Sequence, residues 1–132
     1  LAAALGAHIG RPAVKTVAVM GDGSFGMCVG ELETAVRLRL PITFVVISNA
    51  TYGWIKAGQK SGYGERYFSV DFGVTDHAKV ADAFGVKSWK VSDPRELDAV
   101  LKQAVAHGGP TLVDIVCQPL HEARAPVSEW VA

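Results

Sequence analysis

Hydrophobic residues along this chain fall into short blocks that alternate between a helical and a strand rhythm. An Ala- and Leu-rich opening, residues 1–9, predicts a helix stopped by Gly10 and Pro12. An apolar, β-branched run at 14–20 predicts a strand, and the glycines that follow predict a loop. Between about 27 and 38 the helical rhythm returns. Leu32, Ala35, Val36 and Leu38, with Leu40 beyond them, supply an apolar face, while Glu31, Glu33, Arg37 and Arg39 face water. Pro41 leads into an almost unbroken apolar run at 42–48, the pattern of a strand covered on both faces. From 49 to about 75 the rhythm collapses into scattered glycines and aromatics, and so long an irregular stretch inside a domain points to function or disorder. Order resumes with a helix at 76–84 closed by Gly85 and a strand at 86–91. A helix capped by Asp93 with Pro94 in its first position follows, and then a strand at 111–117.

The order α-β-α-β-loop-α-β-α-β predicts the α/β class: a doubly wound, three-layer, mostly parallel sheet in a single domain. The 132 residues suffice for one core and not for two. Thirteen basic and thirteen acidic side chains cancel, which gives no pull toward nucleic acid or an anionic membrane surface. No apolar run approaches the roughly 20 residues that span a bilayer. Cys28 and Cys117, both in apolar contexts, read as reduced, buried thiols of a cytoplasmic protein. The chain opens in the middle of a helix, without an initiator Met or the basic start of a signal peptide. That predicts a piece of a longer protein. The four histidines have no ligand spacing and read as helix-end or surface residues.

Gly21-Asp22-Gly23-Ser24-Phe25-Gly26 satisfies G-x-G-x-x-G, the turn that cradles a dinucleotide, yet it sets a carboxylate where the diphosphate would lie. A dinucleotide site also wants an acidic residue at the end of the second strand, and that strand ends in Ser48-Asn49. No Gly-Lys-Ser/Thr follows the glycines, so the loop is not a P-loop either. A divalent cation resolves the sign problem, because it turns the carboxylate into an indirect attraction for phosphate. Magnesium favours an octahedron of oxygens drawn partly from the ligand and water. Asn49, 27 positions after Asp22, offers an amide oxygen from the next strand end, and the Thr51 carbonyl a third ligand. Gly23 allows close approach of the backbone, amides at the start of the following helix face the anion, and Ser24 adds a hydroxyl.

"GDGSF" followed by "SNATYGW" resembles the GDG…N motif of thiamine-diphosphate-dependent enzymes, in the group of acetolactate synthase, benzoylformate decarboxylase and pyruvate decarboxylase. "GELETAVRLRLPITFVVISN", "VADAFGVKSWKV", "ELDAVLKQAV" and "GGPTLVDIV" resemble the same family, so the likeness runs from "LAAALGA" to about Pro119. It implies the C-terminal diphosphate-binding domain at 1–118, with a tail at 119–132 in which Trp130 is read as an anchor over the active site or, equally, as plain packing or subunit contact. It implies thiamine diphosphate and Mg²⁺ as cofactors, with Asp22 and Asn49 as side-chain ligands of the metal and Thr51 as a carbonyl ligand. Gly21, Gly23, Ser24, Phe25, Asn49, Thr51, Tyr52 and Gly53 become the cofactor-binding positions. This chain has Ser48-Asn49 where many members have two asparagines, and only the second matches the ligand.

The resemblance also implies what is not here. The glutamate that activates the cofactor is expected on a pyrimidine-binding domain of a neighbouring subunit, so no catalytic residue is assigned. Glu31 and Glu33 read as exposed helix charges. The chain by itself is expected to be inactive, and its parent to be a homodimer or homotetramer acting on a 2-oxo acid. Trp54 falls on the substrate side, with packing under the loop as its alternative. Lys56 and Gln59 are weighed against a substrate carboxylate, and Lys56 reads rather as a solvated side chain. The leading function is that of an acetolactate-synthase-like carboligase. A benzoylformate-type decarboxylase, a non-catalytic subunit of a split enzyme and a dinucleotide-binding oxidoreductase domain are the alternatives.

Overall fold

The two most apolar runs, Thr43–Ser48 (β2) and Thr111–Val116 (β4), lie side by side in the middle of a four-stranded sheet. The computed structural model describes residues 1–119. Val17–Gly21 (β1) pairs with the free side of β2 and Lys87–Val91 (β3) with the free side of β4, which gives the order β1-β2-β4-β3, parallel throughout. The helices are Ala2–Gly10 (α1), Asp22–Met27 (α2), Glu31–Arg37 (α3), Gly53–Gly62 (α4), His77–Ala83 (α5) and Leu97–Ala106 (α6). A single 3-10 turn, Pro94–Glu96, leads into the last of them.

Crossover handedness explains the layering. Passing from β1 to β2 and from β2 across to β3 moves the chain in one direction along the sheet, and passing from β3 back to β4 reverses it. Right-handed crossovers therefore put the intervening helices on opposite faces. Leu5 of α1, Phe25 of α2, Leu32 and Ala35 of α3 and Ala81 of α5 pack in one core with Phe44, Val46 and Leu112. Ala104 of α6 packs on the other face with Val91 and Val113. The predicted doubly wound sheet is thus the observed one. On the α6 face β1 is left bare, with Val17 and Val19 exposed.

Several boundaries differ from the sequence reading. The helix expected at 27–38 is two helices, and the first begins at Asp22, inside the expected glycine loop. The turn at 28–30 separates them, and Leu38, placed on the apolar face by its spacing, lies exposed beyond the end of α3. The irregular stretch at 49–75 contains the ten-residue α4. Three glycines, at 53, 58 and 62, and a buried lysine in place of an apolar stripe hid its period. Of the histidines expected at helix ends or on the surface, His8 in the last turn of α1 and His77 at the start of α5 are at helix ends, and both are buried. His121, Trp130 and all of the expected tail after Pro119 lie outside the described residues.

Asp76 caps α5 by accepting the Lys79 N–H at 3.0 Å, and it also meets Lys90 Nζ at 3.2 Å. The Lys79 N–H first, then Lys90, hold its carboxyl below the ordinary aspartate value. A carboxyl lowered on folding stabilises fully above the unfolded value, near pH ~4, and loses that stabilisation as pH falls through the folded value. Asp76→Ala is expected to cost about 1 kcal/mol at neutral pH. The gap between the urea midpoints of the two proteins should narrow as the pH falls through the folded value.

Candidate functional site

β1 and β2 end next to each other, and the chain leaves each in a sharp turn that faces the other. Asp22, the residue after β1, is 4% exposed. Its Oδ1 accepts the Gly23 N–H at 2.9 Å, while its Oδ2 crosses to the end of β2 and accepts the N–H groups of Asn49 and Ala50 at 2.8 and 2.7 Å. Among the described residues no lysine or arginine forms an ion pair with this carboxylate. Among these residues its charge is met by backbone N–H dipoles.

The second turn is held from the far side as well. Ala50 has a φ of 56°, the left-handed region that a residue with a Cβ enters at some expense. The Asn49 amide oxygen accepts the Thr51 N–H at 3.2 Å. Thr51 is buried and bonds through Oγ1 to the Val70 carbonyl, and the N–H groups of Tyr52 and Phe72 close a short antiparallel bridge between 50–52 and 70–72. Tyr52 packs its ring on Phe72 at 5.0 Å and across Gly23. A Cβ on Gly23 would lie 2.3 Å from Cε1 of that ring. Gly23→Ala is therefore expected to push the Tyr52 ring out of its place at about 2 kcal/mol of stability. The near-ultraviolet circular dichroism of the tyrosines and the urea midpoint would both register it.

Between the two turns opens a cleft of about 440 Å³. Gly21, Asp22, Gly23, Ser24, Asn49, Thr51, Tyr52, Gly53 and Trp54 all line it, with Ile47 and Ile55. Every predicted cofactor or metal position is present except Phe25. Its side chain lies in the core, edge-on to His77, and the residue as a whole is 1% exposed. Trp54 is 60% exposed at the cleft, and it does not pack under the loop. Ser24 is exposed at the mouth.

Two neighbouring readings are corrected. Lys56 is not solvated: it is buried in α4, with Nζ 2.8 Å from both carboxylate oxygens of Asp71 and 5.2 Å from the centre of the Tyr67 ring. Gln59 is engaged by the backbone of Phe68 through both ends of its amide. Neither reaches the cleft, because both fasten α4 to the strap that returns to Thr51. Cys28 and Cys117 are free thiols, as expected, but both are half-buried where burial was expected. Burial first, and then the nearby charge of Asp22, push the Cys117 thiol up from its ordinary value.

The sequence reading missed a buried cluster behind the second turn, formed by Ser48, His77 and Asp114. Its one advance signal was a charged residue inside the apolar run "TLVDIV".

The chain matches the family model for the thiamine pyrophosphate enzyme C-terminal TPP binding domain over residues 1–115. It belongs to this family. Acetolactate synthase from Bacillus subtilis (strain 168) is 40% identical over 112 residues, 85% of this chain and 20% of that protein. The acetolactate synthase large subunit of Porphyra purpurea is 38% identical over 120 residues, 89% of this chain and 20% of that protein. Among solved structures, a thiamine diphosphate-dependent 4-hydroxybenzoylformate decarboxylase from Rhodococcus jostii RHA1 superposes with a TM-score of 0.85 at 25% identity. The match covers 89% of this chain and 22% of that one. This thiamine pyrophosphate enzyme domain thus spans about a fifth of the length of the relatives it matches.

Proposed function

We propose that the cleft holds the diphosphate of thiamine diphosphate through a Mg²⁺ ion, with the Asp22 carboxylate, the Asn49 amide oxygen and the Thr51 carbonyl as its protein ligands. The observation that carries this is a buried carboxylate without a basic partner among the described residues, set beside two neutral oxygen donors in one cleft. The donor set fits the ion. It is all oxygen, and among the described residues no cluster of three His, Cys, Asp or Glu side chains offers a softer or more acidic cage. One carboxylate and two neutral oxygens leave an octahedron incomplete, which phosphate oxygens and water would fill. Among the described residues, Asn49 Oδ1 and Asp22 Oδ1 each accept a single hydrogen bond and keep lone-pair capacity for a metal.

When bound, the cofactor supplies carbanion stabilisation, and the protein supplies binding and orientation. Among the described residues, Asp22 and the Tyr52 phenol are the only ionisable side chains that line the cleft. A proton-handling group therefore has to come from elsewhere, which supports a site shared with the pyrimidine-binding domain of a neighbouring subunit. Met27, Trp54, Phe68 and Val74, each more than half exposed around the site, form an apolar rim suited to such a partner. This chain by itself is expected not to turn over substrate. Its parent acts on a 2-oxo acid, releasing CO₂ and transferring the acyl carbanion to an acceptor carbonyl. The identities to acetolactate synthases favour that carboligase reading over simple decarboxylation. Trp54 at the cleft favours a small acyl donor. Two free thiols support a reducing compartment such as the cytoplasm.

Calorimetric titration with thiamine diphosphate, in Mg²⁺ and then in EDTA, tests the site. Binding is expected only with the metal, and Asn49→Ala, which leaves the Asn49 N–H in place for Asp22, is expected to weaken it at least ~10-fold. Binding in EDTA that Asn49→Ala leaves untouched would sink the metal and reopen the dinucleotide reading.

A further inference from the structure

Ser48 stands one residue before Asn49, yet its hydrogen bonds point away from the cleft. Its carbonyl accepts the Cys117 N–H at 2.9 Å, and its hydroxyl donates to Oδ1 of Asp114. With that proton given to Asp114, the Nδ1 of His77, 3.0 Å away, is the donor to Ser48 Oγ. Asp114 is wholly buried in β4, and its Oδ2 accepts the His77 backbone N–H at 3.0 Å. The other face of the imidazole cluster meets Phe25 edge-on at 5.3 Å, three residues beyond Asp22. One buried cluster therefore braces both arms of the cleft, the start of α2 and the end of β2.

Stability alone gives little reason for a carboxylate in such a place, since apolar residues of similar volume commonly serve a core as well or better. What a fully bonded buried polar cluster adds is geometry. We infer that Asp114 is a positioning residue: through Ser48 it fixes the end of β2, and with it the point at which Asn49 and Thr51 present their oxygens to the metal. The metal part rests on the proposed function above, whereas the clamp rests on the hydrogen bonds alone.

The test uses the whole chain, with Ser48→Ala to cut the clamp and Ser48→Thr to keep the hydroxyl. Amide hydrogen exchange by NMR reads the loop directly. In Ser48→Ala the amides of Asn49 and Ala50 are expected to exchange about 10-fold faster, while those of Val45 and Val113 in the sheet interior stay as they were. Ser48→Thr should restore protection. Uniform acceleration across the sheet, or none at Asn49 and Ala50, overturns the inference. In calorimetry, the Mg²⁺ concentration for half-maximal thiamine diphosphate binding is expected to rise about 10-fold in Ser48→Ala, the usual scale for groups that orient a metal ligand. An unchanged Mg²⁺ requirement overturns the metal part. If wild type binds the cofactor equally well in EDTA, the proposed function fails, and the exchange at Asn49 and Ala50 still decides the clamp.

Discussion

Asp22→Ala is expected to lower stability by about 3 kcal/mol in EDTA, before any metal is involved. The reason is that Asp22 does two things. Its carboxylate accepts three backbone N–H groups, from Gly23, Asn49 and Ala50, and alanine leaves all three without an acceptor in a largely buried setting. Each orphaned donor costs on the order of 1 kcal/mol or more. Asp22→Asn separates the two duties. Its amide oxygen still accepts at the crossing to Asn49 and Ala50, so about 1 kcal/mol is lost, while the negative charge that attracts the cation is gone. Urea titrations in EDTA should rank wild type, Asn and Ala in that order, and metal-dependent cofactor binding should fail in both variants. Equal midpoints for wild type and Asp22→Ala would mean that the carboxylate serves the ligand and not the loop.

Asp114→Ala is expected to be the more damaging change, at about 4 kcal/mol. It removes a wholly buried carboxylate and strands the Ser48 hydroxyl and the His77 N–H together. The size of that loss does not measure what the cluster contributes, because breaking a buried polar set is always costlier than never having it. The informative partner is Asp114→Leu combined with Ser48→Ala, which replaces acceptor and hydroxyl by apolar groups. Its urea midpoint is expected to recover part of the way, since the Ser48 hydroxyl is no longer stranded while the His77 N–H and Nδ1 still lack their partners. A double variant as unstable as Asp114→Ala would show that the core itself, and not only the loop, depends on the carboxylate.

The parts of this fold that could be read ahead of the coordinates are those with one dominant physical signal. β2 and β4 are covered on both faces, so their apolar runs are unbroken, and their places in the middle of a parallel sheet follow. The grouping of the candidate site in one cleft was legible for a different reason. An aspartate in a phosphate-type loop is electrostatically wrong without a cation, and that contradiction led to Asn49 and Thr51 on the adjacent strand end. α4 was illegible because its one buried residue is Lys56, held by an ion pair with Asp71 instead of an apolar stripe. The brace behind the loop was illegible because Ser48, His77 and Asp114 are separated by 29 and 37 positions, and hydrogen bonds over such distances leave no periodicity. Phe25 carried a core role under a motif that pointed to a ligand role: its spacing marked the backbone, while its side chain answered to the sheet beneath.

The crossing of Asp22 to the amides of Asn49 and Ala50 has a kinetic side. Because the turn after β2 is fastened by the chain's own carboxylate, its conformational entropy is lost once, at folding, and not again each time a guest arrives. On the proposed function, a turn formed in advance needs no closing step, so capture there follows encounter, and affinity is set by how slowly the cofactor departs. On the same proposal, slow events belong to the surface that closes over the exposed side chains of Trp54 and Phe68.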